Sequence, residues 1–226
     1  LEGGGVIAIV GGGGKTSLMY SLAQAARAAG KRAAISTTTH IRPPEGYPQT
    51  GDDLAAAGQA WEQGEIPCAA LPGPDGRLVG PGGEALARLS ARAEWLIVEA
   101  DGSKGLPMKA PAAWEPMLPP LWDKLVAVAG LSALGQPLSR ACHRPELAAA
   151  LLGVAEDAIV TPELMAALLL SPAGQMKGVA DRSRFRILLN QADAADPRPL
   201  GAALRRLAPG LTIAAASLKE RWRCAL

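Results

Sequence analysis

Large aromatic side chains are nearly missing from this chain, whose 226 residues include one phenylalanine, two tyrosines and five tryptophans. That scarcity argues against a β-sandwich; with alanine prominent in a 49% hydrophobic composition, aliphatic helices and short aliphatic strands are expected instead. Cysteine is also sparse. Cys68, Cys142 and Cys224 form no CxxC pair, and an odd count without a ladder argues against a disulfide scaffold and fits a reducing, cytoplasmic location. Long runs of one charge are absent: 23 basic and 21 acidic side chains give +2, which is no footprint for a nucleic-acid or membrane-surface binder. The opening LEGGGVIAIVGGGG lacks the basic and long apolar regions of a signal peptide, and the apolar stretch over 147–170 is broken by Glu156, Asp157, Pro162 and Glu163. No nucleic acid and no membrane are therefore expected as partners.

What the chain does have is length and rhythm. One domain over 1–226 can bury roughly 70% of its unfolded surface. Short aliphatic runs at 6–10, 32–36, 95–99, 125–129, 186–190 and 212–216 alternate with helical stretches at 16–29, 84–93, 145–152, 162–170 and 199–207. This predicts an α/β fold, a mostly parallel sheet with helices on both faces. Thr161-Pro162 reads as a cap followed by a residue with preset φ. Residues 41–83, rich in Pro and Gly, read as an irregular, lid-like insertion after the second strand, with a hairpin turn at Pro74-Asp75-Gly76.

The sharpest motif follows the first strand: Gly11, Gly12, Gly13, Gly14, Lys15, Thr16 and Ser17, leading into a helix. Glycines let successive amides turn toward an anion, and the helix start adds its positive end. Lys15 supplies a charge for the terminal phosphates and Thr16 a magnesium ligand. The spacing is G-x-x-G-K-T rather than the longer G-x-x-x-x-G-K-T, and resembles the compact phosphate loop of the Mur ligase and folylpolyglutamate synthetase group. The expected cofactors are Mg2+ with ATP or GTP.

Magnesium needs hard oxygen ligands. Glu99 and Asp101, at the end of the 95–99 strand, supply carboxylates: Asp101 is assigned to the metal and Glu99 to general base, the reverse being open. Ser36-Thr37-Thr38-Thr39-His40 follows the second strand at the edge where such sheets bind ligands; Thr37 fits strand extension, and Thr38 and Thr39 fit contacts to phosphate or metal water. Lys104 and Lys109 lie in a Gly/Pro-punctuated loop suited to a small anionic acceptor or a leaving phosphate. Arg140 and Arg144 flank His143 before a helix, and either can serve as a charge donor for transferring phosphate, Arg144 being the one assigned; this is preferred over a soft metal site at Cys142-His143, which lacks a second ligand pair. Asn190-Gln191-Ala192-Asp193 stands where GTPases carry Asn-Lys-x-Asp, so that Asn190 and Asp193 are candidate base-reading residues; ordinary turn residues are the alternative.

Taken together, the glycine loop, 37–41, the EADGSKGLPMKAP block at 99–111, His143-Arg144-Pro145-Glu146 and 189–193 resemble the YqeC family. Gln191 departs from it where lysine is frequent. The resemblance implies an accessory role in maturing selenium-dependent molybdenum hydroxylases, with a hydroxylase as client. Two functions follow: a P-loop NTPase or NTP-dependent phosphotransferase or ligase, and a nucleotide-gated chaperone or insertion factor without a small-molecule acceptor.

Overall fold

The computed structural model describes residues 3–220 and 222–225. Its sheet strands are β1 (Gly5–Gly11), β2 (Ala33–Thr37), β3 (Cys68–Ala69), β4 (Trp95–Glu99), β5 (Lys124–Gly130), β6 (Phe185–Asn190), β7 (Thr212–Ser217) and β8 (Trp222–Ala225). The helices are α1 (Lys15–Ala28), α2 (Leu54–Glu62), α3 (Gly83–Ser90), α4 (Leu138–Ala141), α5 (Pro145–Leu152), α6 (Pro162–Leu170) and α7 (Arg198–Leu207). The architecture is α/β and P-loop NTPase-like, a mostly parallel sheet flanked by helices; β8 alone among these strands runs antiparallel, to β7. Among the described residues no helix is long and apolar enough to cross a membrane.

Two compact units divide the chain. The first, residues 3–9, 18–101 and 117–124, has strand order β1-β4-β2-β3. Ile7, Ile97 and Ile35 stand in one cross-strand row and are wholly buried, as parallel strands covered on both faces require. One side of this sheet packs Val6, Ala34, Leu96 and Val98 against Leu86 and Leu89 of α3, whose buried positions recur at helical spacing. Burying each such Leu or Val contributes about 1.5–3 kcal/mol.

The second unit, residues 10–17, 102–116 and 125 onward, has strand order β5-β6-β7-β8. Ala127, Ile187 and Ile213 form its central row, and Phe185, the chain's one phenylalanine, is fully buried in β6. Thr161 caps α6 as expected, its hydroxyl accepting from the Leu164 amide at 3.2 Å.

Most departures from the sequence reading fall in the insertion. Residues 41–83 are more ordered than their Pro/Gly content suggested: Asp53 caps α2 by accepting from the amides of Ala55 and Ala56 at 2.7 and 3.1 Å. Cys68–Ala69, inside a segment read as irregular, joins the main sheet as β3. The hairpin at Pro74–Gly76 exists, joining Leu71–Pro72 to Leu78–Val79, and His40–Ile41 adds a third antiparallel strand. β8 lies beyond the last strand anticipated from the sequence.

Candidate functional site

β1 delivers the glycine loop and α1 begins at Lys15. Two positions show why glycine is needed. Gly11 has φ 97°, and a Cβ there would lie 2.2 Å from the Val128 carbonyl oxygen. Gly14 has φ 121°, and a Cβ there would lie 2.3 Å from Asn190 Nδ2. The Gly12 and Gly13 amides donate to Val128 O and Leu106 O at 2.9 and 3.0 Å, so they hold the loop against its walls. The anion nest expected over four glycines is thus narrower, and the positive end of α1 carries more of the field toward a phosphate. Lys15, buried to 4% exposure, crosses the loop and donates from Nζ to Gly11 O at 2.7 Å. Thr16, half-buried, and Ser17, exposed, stand in the first turn of α1.

Residues 102–116 wall the loop. Besides Leu106 O, the Pro107 carbonyl accepts from the Gly130 amide at 2.8 Å. Lys104 is exposed and adopts a left-handed φ of 51°, unusual for a residue with a Cβ. Lys109 is neither a solubilising lysine nor an open anion grip: it is 1% exposed, donates to Gly102 O at 2.6 Å and pairs with Glu115 at 2.9 Å. The other side of the Glu115 carboxylate takes Arg144 at 2.5 and 3.3 Å. Arg144 also has a left-handed φ, 62°, and lies 5.9 Å over the Trp114 ring. Burial pushes the Glu115 carboxyl up, but the Ala112 amide, Lys109 and Arg144 outweigh it and leave the group below the usual range. Burial, then the charges of Arg144, Lys109 and Lys104, hold the His143 imidazole below its ordinary value. Burial pushes the Cys142 thiol up to about 12, so it stays protonated.

Glu99, Asp101 and Thr38 belong to the first unit. Neither carboxylate is a surface acid; Glu99 is 7% and Asp101 1% exposed. Thr37 ends β2 opposite Glu99 and donates its hydroxyl to Glu99 O at 2.9 Å, which fits the strand reading. The Thr38 amide donates to the same oxygen at 3.1 Å, while its buried Oγ1 has no hydrogen-bond partner among the described residues. His40 is exposed in its short strand.

The second unit brings the glycine loop, Lys104, Arg144, Asn190 and Asp193 into one body. Asn190 is 5% exposed; its Nδ2 donates to Gly13 O at 2.7 Å and its Oδ1 accepts from the Leu218 amide at 3.1 Å. Asp193 is exposed and accepts from Ser217 Oγ at 2.6 Å. Sequence reasoning missed Glu115 and Ser217. No spacing signals Glu115, whose partners lie at 109 and 144. Ser217 was within reach, because a hydroxyl ending a parallel strand sits at the ligand edge, as for Thr37.

The chemistry of each group suits magnesium taken by itself: the Thr16 hydroxyl in the second unit and the Glu99 and Asp101 carboxylates in the first are hard oxygens, the kind of ligand this ion takes. The uncharacterized protein YqeC of Escherichia coli (strain K12) is 33% identical over 206 residues, spanning 82% of this chain and 75% of that relative. The profile described as YqeC protein matches residues 7–146, from β1 through the start of α5. On both counts the chain belongs to the YqeC family.

Proposed function

We propose that this protein binds a nucleoside triphosphate with magnesium and cleaves its terminal phosphate bond, passing the phosphoryl group to water or to a small anionic acceptor. One observation carries the reading: a strand ends in a glycine loop that admits no side chains at Gly11 and Gly14, and a buried lysine opens the helix that follows. A glycine turn running into a helix start, with an ammonium at its first position, is the arrangement that receives a polyphosphate.

In this reading Lys15 exchanges the Gly11 carbonyl for phosphate oxygens and stabilises charge developing there. Thr16 and Asp101 are the oxygens offered to the metal, Glu99 orients or deprotonates the nucleophile, and Lys104 is the exposed cation for an acceptor. A magnesium ion held there would supply Lewis-acid withdrawal of charge from the phosphate. Arg144 acts through Glu115, keeping the wall of the loop in place. By resemblance to its family, the cleavage serves maturation of a selenium-dependent molybdenum hydroxylase in the cytoplasm.

The test is phosphate release with magnesium, wild type against Lys15→Ala. Loss of a preorganised charge donor, worth about 3 kcal/mol, lowers turnover on the order of 100-fold. Equal rates in the two proteins, or no calorimetric heat with any triphosphate, would sink the reading. A small anion that accelerates turnover many-fold identifies a transferase; a partner protein that binds only the triphosphate state identifies a gated insertion factor.

A further inference from the structure

The loops after β6 and β7 are tied to the phosphate loop by a continuous set of bonds. Asn190, the last residue of β6, holds Gly13 O with its amide nitrogen and the Leu218 amide with its oxygen, at 2.7 and 3.1 Å. Two residues further on, the Ala192 amide donates to Ala216 O at 3.1 Å. Asp193 then presents an exposed carboxylate whose Oδ1 is fixed by Ser217 Oγ at 2.6 Å. The Ser217 hydroxyl holds that carboxyl below the usual range, which keeps it an anion at neutral pH. Gln191, with a left-handed φ of 63°, turns its side chain to Ser132, whose hydroxyl donates to Oε1 at 2.7 Å. Reading of a base at this rim therefore falls to Asp193.

An oriented carboxylate three residues from a phosphate-loop clamp, at the carboxyl edge of parallel strands, is placed for the heterocycle of a bound nucleotide. It offers acceptors only. Guanine presents two adjacent donors to such a group, the ring N1–H and the exocyclic amine. Adenine presents a ring-nitrogen lone pair beside its amine, which a carboxylate repels. We infer that Asp193, positioned by Ser217, selects a guanine nucleotide over an adenine nucleotide at the phosphate loop. This rests on the triphosphate reading above and narrows it to one base.

The experiment is calorimetric titration of the full chain, with magnesium, by GTP, ATP and xanthosine triphosphate, using wild type and Asp193→Asn. Wild type binds GTP tighter than ATP by on the order of 100-fold, the scale of one or two hydrogen bonds to a charged group. In Asp193→Asn, GTP weakens by a similar factor. Xanthosine triphosphate gains, because the asparagine amide can donate to the carbonyl that replaces the guanine amine. That gain also shows that the variant is folded, and the wild-type ranking decides the matter if it is not. Ser217→Ala keeps the preference in weaker form, as expected of a positioning residue. Equal wild-type affinity for ATP and GTP, or an Asp193→Asn change common to all three nucleotides, overturns the guanine inference while leaving the triphosphate reading intact. Absence of heat with every triphosphate overturns both.

Discussion

The walls of the glycine loop and the insertion at 41–83 use the same residue types in different proportions of close packing and open turn. Around the loop, glycines stand against backbone and amide atoms, and the residues nearby with left-handed φ include Lys104, Arg144 and Gln191. In the insertion, a Cβ at Gly46, Gly58, Gly64, Gly76 or Gly82 would meet nothing within 4 Å, whereas Gly73 and Gly80 are closed off by Val79 and by the Thr37 carbonyl oxygen; the left-handed non-glycine is Asp75, at a hairpin tip. Left-handed residues that carry side chains gather in the first region, where surrounding structure must hold them; the second mixes open turns with a few close approaches.

Breaking the Lys109–Glu115–Arg144 set should have the largest effect. Glu115→Gln removes the anion between two cations, one of them fully buried, and is expected to cost about 3–5 kcal/mol in chemical denaturation. A loss below about 1 kcal/mol would erase the contrast. The same group gives a pH signature. Its folded carboxyl titrates below the unfolded one, so its stabilisation is complete above the usual glutamate range and disappears as pH falls through the folded value. Wild type should lose stability with acid more steeply than Glu115→Gln when urea midpoints are compared across that window.

Gly11→Ala comes next, at about 1–3 kcal/mol, because both its φ and the Val128 oxygen oppose a side chain. Nucleotide affinity measured at matched folded fraction should fall with it; unchanged affinity would mean that the loop's shape is irrelevant to binding. The smallest effect has the opposite sign. Gly58 lies inside α2 with open space around it, so Gly58→Ala should stabilise by about 0.5–1 kcal/mol in the same denaturation experiment. A destabilised Gly58→Ala would show that α2 is constrained at this position as the loop is at Gly11.

These regions also differed in how far the sequence disclosed them. The glycine loop was legible because its chemistry is local: strand, four glycines, Lys-Thr and helix are consecutive. The long strands were legible from unbroken aliphatic runs; β3 was not, since Cys68–Ala69 pairs through its neighbour rather than through propensity. α2 was hidden by flanking Pro and Gly, although Asp53 before an alanine-rich run was a usable cap signal. Asn190 stood out as a polar residue ending an aliphatic run, but its hold on Gly13 spans 177 residues. Lys109 looked like a loop cation because its partner Glu115 carried no motif.

One feature of the loop wall extends into spectroscopy. Trp114 keeps 71% of its surface exposed while Arg144 lies 5.9 Å over its ring and also pairs with Glu115. Trp61, Trp95 and Trp122 are half-buried. A collisional quencher such as iodide therefore reaches Trp114 ahead of those three, and its indole emission is an unlabelled optical report on the segment that borders the glycine loop.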